Sequence, residues 1–162
     1  MRRAALALLL LAGCGPGPKD PAVAGPTFTV GAVTFRVGST GVVTGTDRLT
    51  FWLTSSPATC TDIFQAPVAT TTFFSLTIRP PAGGATSATV VPMKAFPADG
   101  EALGRLERRT GGALDAGVDA VSGSVTWSVD PGGALTLTAF DVAFVGTTDR
   151  MVGGGLGLAA CN

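Results

Sequence analysis

Asp115 and Asp119 are the two residues of this sequence whose spacing comes nearest to a catalytic pair. They flank Ala-Gly-Val, and paired carboxylates serve as acid, base or nucleophile in glycoside hydrolysis. Aspartates among glycines, however, more commonly cap or turn the chain, and this segment lacks the ligand density of a calcium loop. We therefore expect both aspartates to lie in a Gly-rich polar loop without a catalytic role.

Histidine, the side chain most used in catalysis, is absent from the sequence, as is tyrosine. Its absence removes the commonest general base, the commonest metal ligand and every His-dependent triad. The glycine-rich run at 153–157 lacks the lysine and the following helix of a phosphate-binding loop. The sequence therefore predicts a protein that is not an enzyme and that needs no cofactor or metal.

Cys14 carries the most specific chemistry in the sequence. It ends a stretch that opens with Arg2 and Arg3, continues through apolar residues 4–11 and closes with small residues, as secretory signals do. The order Leu11-Ala12-Gly13-Cys14 is similar to the lipobox of bacterial lipoprotein precursors. This resemblance implies cleavage between Gly13 and Cys14, a thioether-linked diacylglycerol on Cys14 and acylation of the new amine.

A membrane-spanning anchor and an ordinary signal peptide are the alternatives for this stretch. A spanning helix needs about 20 apolar residues, whereas Gly13, Gly15 and Pro16 interrupt the run well before that length. An ordinary signal would explain residues 1–13 but not the cysteine at this position. Because two or more acyl groups hold a protein stably on a bilayer, lipidated Cys14 would be a permanent anchor.

The segment after Cys14 is rich in glycine and proline, and its proline spacing prevents helices and sheet ladders. The predicted organisation is a signal peptide at 1–13, a tether at 14–26 and a β domain at 27–162. Gly15, rather than an aspartate, follows the lipidated cysteine, which resembles the outer-membrane default of lipoprotein sorting. The predicted location is the cell envelope, at the outer membrane, with the membrane as partner through the N-terminal lipid.

Cys60 and Cys161 are the cysteines that remain once Cys14 is lipidated. Exported proteins fold in oxidising compartments, where a single pair of cysteines usually forms a disulfide. A metal site is the alternative, but zinc sites favour several Cys and His ligands. We predict a Cys60–Cys161 disulfide with a structural role.

Charge and composition restrict the possible partners. Removal of Arg2 and Arg3 with the signal leaves nine Lys or Arg against eleven Asp or Glu, so the mature chain carries about two negative charges. Nucleic acid is therefore excluded as a predicted partner, because phosphate binding needs a clustered basic surface. Abundant Thr, Val and Gly, with Phe as the main aromatic residue, favour a β protein.

Alternating runs predict the strands. Residues 49–54 place Leu49, Phe51 and Leu53 on one face, and residues 70–79 repeat this pattern. Residues 27–37 also suit a strand, with a bulge or bend at Gly31. Turns are expected at 38–41 and 45–48.

The middle of the chain has weaker signals. Pro92 demotes residues 89–96 to an edge strand. Residues 103–109 hold Arg105, Arg108 and Arg109, and we interpret them as a second edge strand whose charges discourage edge-to-edge pairing. The functional alternative for these arginines is an anion-binding patch that uses the guanidinium fork.

The C-terminal part predicts a hairpin. Residues 123–129 alternate, residues 130–133 form a turn, and residues 135–145 return with a phase shift that indicates a bulge. The fold prediction is all-β: an antiparallel meander of about eight strands, closed as a sandwich or barrel, with one disulfide.

The order of these pieces is similar to that of small all-β bacterial lipoproteins of unassigned role. The matching positions cover most of the mature domain and are Cys60, residues 123–129, residues 135–145, Asp149, Arg150, Gly153 and Cys161. The resemblance implies no activity. We therefore expect a non-enzymatic, lipid-anchored structural or binding module, with a barrel carrier of a small apolar ligand as the alternative.

Overall fold

A computed structural model describes residues 25–56 and 70–161 of the chain. These residues form strands, turns and loops without any helix, so the all-β prediction is confirmed. In particular, the described part contains no helix that is long and apolar enough to cross a bilayer.

Twelve strands lie in the described residues. Two of them pair with each other as an N-terminal hairpin, β1 (Thr27–Val30) and β2 (Val33–Arg36). The others belong to one sheet: β3 (Ser39–Thr44), β4 (Leu49–Thr54), β5 (Thr71–Arg79), β6 (Ser87–Val90), β7 (Glu101–Thr110), β8 (Ala113–Val129), β9 (Leu135–Phe144), β10 (Arg150–Gly153), β11 (Leu156–Gly157) and β12 (Ala159–Cys161).

The sheet is curled into a half-barrel. Its strand order is β10-β9-β8-β6-β7-β5-β4-β3-β12, and β11 adds to β9. Pairings are antiparallel except for β6 with β7 and β12 with β3, which are parallel. The predicted antiparallel meander therefore holds within β3–β5 and within β8–β10. The sheet contains more strands than the eight or so expected.

The strands β4 and β5 follow the predicted alternation. Phe51 and Leu53 of β4 and Phe74 of β5 point to the concave face, where they are buried in the hydrophobic core. The bounds of β4 match the prediction, and β5 begins one residue later than predicted. Phe74 also packs with its ring centroid 6.0 Å from those of Phe140 and Phe144, so aromatic rings fill the interior of the curl.

The N-terminal hairpin lies across the concave face. Gly31 turns the chain between β1 and β2 with φ at 57°, a left-handed conformation that suits glycine. The bend predicted at Gly31 is thus a full reversal that makes two strands of the expected one. The ring centroids of Phe28 and Phe140 lie 5.5 Å apart, and the Gly31 amide donates a hydrogen bond to Asp149 Oδ2 at 2.6 Å.

The turn predicted at 38–41 is wrong, because this segment is the start of β3. The Gly38 amide donates to the Thr54 carbonyl at 2.7 Å. Gly41 lies directly beneath the Trp52 ring, and a Cβ at this position would overlap that ring. The glycine therefore allows close packing within the sheet rather than a chain reversal.

Both edge-strand predictions are wrong. The strand β6 ends at Val90, two residues before Pro92, and lies between β7 and β8. The charged β7 is central, since β5 pairs with it along one side and β8 and β6 along the other. Its charges do not protect an edge; Glu107 pairs with two arginines of the same strand, and Arg105 also pairs with Asp119 of β8.

The predicted C-terminal hairpin is confirmed. Asp130 Oδ1 accepts hydrogen bonds from the Gly132 and Ala134 amides at 2.8 and 2.9 Å, which fixes the turn between β8 and β9. The predicted bulge is present where the register shifts between Thr126 and Trp127, leaving Thr138 of β9 without a partner across the ladder.

Residues 156–161 connect the two sides of the sheet. Leu156 and Gly157 pair with β9, whereas residues 159–161 pair with β3 at the other end of the strand order. Thr40 Oγ1 donates to the Gly157 carbonyl at 2.6 Å, and the Leu158 amide donates to the Leu135 carbonyl at 3.0 Å. One short segment thus holds strands from both sides of the half-barrel.

Candidate functional site: a cleft beside the N-terminal hairpin

The predicted lipidation and disulfide residues are described only in part. Gly13, Cys14 and Cys60 lie outside the described residues, so the predictions about them remain predictions. Cys161 is buried at the end of β12 and is disulfide-bonded. Gly25 and Pro26 are the last residues of the predicted tether. The Gly25 carbonyl accepts a hydrogen bond from Arg36 Nε of β2 at 3.3 Å, and the Pro26 carbonyl accepts one from the Val37 amide at 2.9 Å.

Asp115 and Asp119 do not lie in a loop, as expected, but on β8. Asp119 Oδ1 accepts a hydrogen bond from Arg105 Nη1 at 3.1 Å, and Asp115 Oδ2 accepts one from Thr110 Oγ1 at 2.6 Å. Asp115 is the residue that the register skips between the partners of Arg108 and Arg109, so the irregularity there is a bulge rather than a loop. Each carboxylate therefore has its own partner, and the described residues contain no metal-binding group of three or more acidic or Cys side chains.

Arg105 and Arg109 point to the convex face of the sheet, where both contact Glu107. Arg109 Nε donates to Glu107 Oε2 at 2.8 Å. Arg105 Nε lies 2.7 Å from Glu107 Oε1, but its N–H direction does not complete a hydrogen bond, so this contact is an ion pair. Both oxygens of Glu107 and both arginines are thus engaged on this face.

Arg108 points the opposite way because side chains alternate along a strand. It shares the concave face with Leu106, and both residues line a cleft of about 210 Å³. The cleft lies between the turn of the N-terminal hairpin, the adjoining parts of β7 and β8, and the segment after β9. We refer to it as the hairpin cleft. Its main apolar lining residues are Val30, Val33, Leu106, Val118 and Val145.

The mouth of the hairpin cleft is formed by two turns. Gly31 and Gly146 both have positive φ, and a Cβ at either residue would have no heavy atom within 4 Å beyond those of the residue and its chain neighbours. The neighbouring Val145 is 55% exposed although it lines the cleft, and its amide is fixed by the Asp119 carbonyl at 3.0 Å. The site is therefore a small apolar recess with an open, glycine-lined entrance.

Arg108 differs from the other described cations in its partners. Its nearest carboxylate oxygen in the described part of the chain is Asp115 Oδ2, 4.0 Å from Nε. Every other Arg or Lys side chain in 25–56 and 70–161 has an oxygen within 3.3 Å. The guanidinium of Arg108 thus keeps most of its hydrogen-bonding capacity for another acceptor.

A second exposed cluster, around Phe96, shows how committed the other arginines are. Arg48 Cζ lies 5.4 Å from the Phe96 ring centroid, and Arg48 Nε is paired with Asp47 at 3.0 Å. The hydrogen bond from Arg48 lowers the pKa of Asp47. Arg79 is paired with Asp99 at 2.7 Å. Each arginine of this cluster already has a carboxylate, so the cluster offers no spare cation.

Arg105, Arg108 and Arg109 are close together in the sequence, and the predicted anion-binding patch did not distinguish Arg108 from the other two. The signal that distinguishes Arg108 is the alternation of side chains along a strand. Arg108 shares one face with the apolar Leu106, whereas Arg105 shares the other face with Glu107. The walls supplied by the hairpin could not be identified in this way, because they depend on tertiary packing.

Comparison with known proteins gives no assignment for this site. No protein family, curated protein or solved structure matches the chain.

Proposed function

We propose that this chain is a lipoprotein of the bacterial cell envelope, held at the outer membrane by lipid on Cys14, with a β domain that acts as a non-enzymatic binding module. The observation that carries the proposal is the Leu11-Ala12-Gly13-Cys14 stretch, after Arg2 and Arg3 and a short apolar run. Several acyl groups on one cysteine would make the attachment permanent.

The contacts of the carboxylates support a non-enzymatic role. A catalytic acid or base must be free to reach a substrate proton. Asp119 instead holds Arg105, and Asp115 accepts from Thr110 Oγ1. Both are parts of a polar network on neighbouring strands.

The disulfide belongs to the same proposal. Cys161 is buried on β12, and export would place the domain in an oxidising compartment. We propose Cys60 as its partner, since Cys14 would be occupied by lipid.

A carrier of a small apolar ligand is the second candidate, but the centre of the curl is a poor place for the ligand. Phe28, Phe74, Phe140 and Phe144 fill that space with ring centroids 5.5–6.0 Å apart. The hairpin cleft, whose lining is mainly apolar, is the better candidate for ligand binding.

The test of the anchoring proposal is the fate of the full chain in a bacterial host. We expect the wild-type protein to take up labelled palmitate, to lose residues 1–13 and to sediment with membranes. Cys14→Ser should remove the label and leave the precursor uncut. The matched control Pro18→Ala, in the predicted tether, should behave as wild type. Wild-type protein recovered with an unmodified Cys14 thiol would refute the proposal.

A further inference from the structure

We propose that the hairpin cleft binds a small organic carboxylate with an apolar body, and that Arg108 holds its carboxylate group. The inference deepens the proposed binding role and rests on it. It follows from three observations: the side chain that faces the cleft, the partners that this side chain lacks, and the size of the apolar recess.

The first observation is that a cation and an apolar wall share one concavity. Arg108 and Leu106 point to the same face of β7, and Val118 of β8 lies directly opposite Leu106 in the ladder. Val30 and Val33 of the hairpin complete the recess. A ligand bound there would meet apolar side chains along its body and a guanidinium at its end, which is the arrangement that an amphipathic anion requires.

The second observation concerns charge. Among the described residues, Arg108 has a carboxylate only at 4.0 Å, and that carboxylate, Asp115, already accepts from Thr110 Oγ1 at 2.6 Å. Glu107, the other charged residue of the lining, is held by Arg105 and Arg109 on the convex face. A guanidinium presents a planar fork that matches a carboxylate with two parallel hydrogen bonds. The cleft therefore favours an anion over a cation or a neutral group.

The third observation is the volume. The cleft measures about 210 Å³, which is below the usual range of about 300–1,000 Å³ for sites of drug-sized ligands. A methylene group is comparable in size to a water molecule, whose share of liquid volume is about 30 Å³, so an apolar body of about six or seven carbons fills the recess. The exposed Val145 at the mouth would be covered by such a ligand.

The first experiment tests the charge requirement. The full lipidated protein, in nanodiscs of zwitterionic lipid, is titrated calorimetrically with hexanoate and with hexan-1-ol, and empty nanodiscs supply the blank. We expect hexanoate to bind and Arg108→Gln to weaken it about tenfold or more, because a hydrogen bond to a charged group is lost. The matched control Arg79→Gln removes the same charge from an arginine of similar exposure that lies outside the cleft lining, and it should bind as wild type.

The second experiment tests the place. Val145→Trp should fill the mouth of the cleft and abolish hexanoate binding, whereas Val152→Trp, at an equally exposed valine outside the cleft lining, should not. Affinity should also rise from butanoate to octanoate and then level off in longer acids, because the apolar body of octanoate has seven carbons and fills the recess. Partition into the bilayer would instead continue to strengthen by about 0.8 kcal/mol per methylene.

Equal affinity for hexanoate and hexan-1-ol, or an unchanged affinity in Arg108→Gln, would overturn the proposal, as would unchanged binding in Val145→Trp. These results leave the anchoring proposal intact, because that proposal is decided by labelling and sedimentation. Conversely, an unlipidated chain would refute the anchoring and still bind hexanoate if the cleft acts as proposed.

Discussion

Two regions of the convex face, one around Trp52 and one around Arg105, belong to a single row of side chains and behave in opposite ways. This convex row crosses five neighbouring strands at aligned positions, Gly41, Trp52, Ser75, Arg105 and Asp119. At one end the row is buried and apolar, and at the other it is polar and open to water.

The Trp52 end is buried although it lies outside the core. Trp52 is 4% exposed, and Leu103 and Cys161 are likewise buried without belonging to the core cluster. The indole rests on Gly41, and its Nε1 has no hydrogen-bond partner within residues 25–56 and 70–161. The cost of that unpaired donor must be offset by the apolar area that the ring removes from water.

The Arg105 end carries ion pairs whose side chains are about one-third exposed, Arg105 at 36% and Asp119 at 34%. Such pairs are screened by water and salt and contribute little to stability. The comparison shows that strand alternation determines which face a side chain occupies but not whether water reaches that face.

The largest expected effect is at the apolar end. Trp52→Ala should lower the free energy of unfolding by about 3–5 kcal/mol, as for other buried tryptophans. The measurement is urea unfolding of the full chain. The free energies of variant and wild type are compared with the same slope of free energy against urea concentration. Trp127→Ala, in the core proper, is the benchmark. If Trp52→Ala lowers the free energy of unfolding by less than about 1 kcal/mol while Trp127→Ala has its full effect, then burial on the convex face contributes no stability.

The disulfide at the same end gives the next effect. Cys161→Ser should cost about 2–5 kcal/mol, because the unfolded chain regains the freedom that the cross-link removes. If Cys60 is the partner, Cys60→Ser should cost the same and the double variant no more. Thiol counting on the denatured, non-reduced exported protein checks the bond directly. Two free thiols would contradict it.

Gly41→Ala tests the contact between the strands β3 and β4. The added Cβ would overlap the Trp52 ring, and such overpacking costs about 1–3 kcal/mol. Gly45→Ala is the matched control, since its nearest heavy atom would be 3.4 Å away. Thermal unfolding of both variants measures the difference. Equal melting temperatures would show that the ring moves aside without cost.

The smallest effect is expected at the polar end. A double-mutant cycle of Arg105→Gln and Asp119→Asn should give a coupling energy of about 0.2–1 kcal/mol, which decreases as salt is added. Urea unfolding of the wild type, the two single variants and the double variant, each at two salt concentrations, provides the eight free energies. A coupling above about 2 kcal/mol, insensitive to salt, would remove the contrast between the two ends.

The same distinction explains what the sequence could predict. Alternation identified β4, β5 and the part of the β8–β9 hairpin near its turn correctly, because each depends on local pattern and turn residues, but it missed the first ten residues of β8. It failed for the neighbours of β6 and β7, since pairing partners come from distant segments. Two predictions from glycine were wrong. Gly41 allows a close contact instead of a turn, and the glycine-containing segment around Asp115 is a strand with a bulge instead of a loop.

The candidate cleft could be predicted only in part. The alternation of side chains separates Arg108 from Arg105 in the sequence. The part of the cleft lining that the N-terminal hairpin supplies, however, depends on β1 and β2 lying across the concave face. No sequence pattern fixes where a two-stranded unit docks on a sheet.

The segment at 156–161 also has a consequence for the order of folding. The hydrogen bond between Thr40 and Gly157 joins positions 117 residues apart, and β12 pairs with β3 over a similar separation. Contacts so distant in sequence form slowly, because the entropy of closing a long loop is lost before they form. The two sides of the sheet therefore cannot be joined until the final strands are available. A chain passing through an export channel from its N-terminus would stay open, and able to thread, until those strands had emerged.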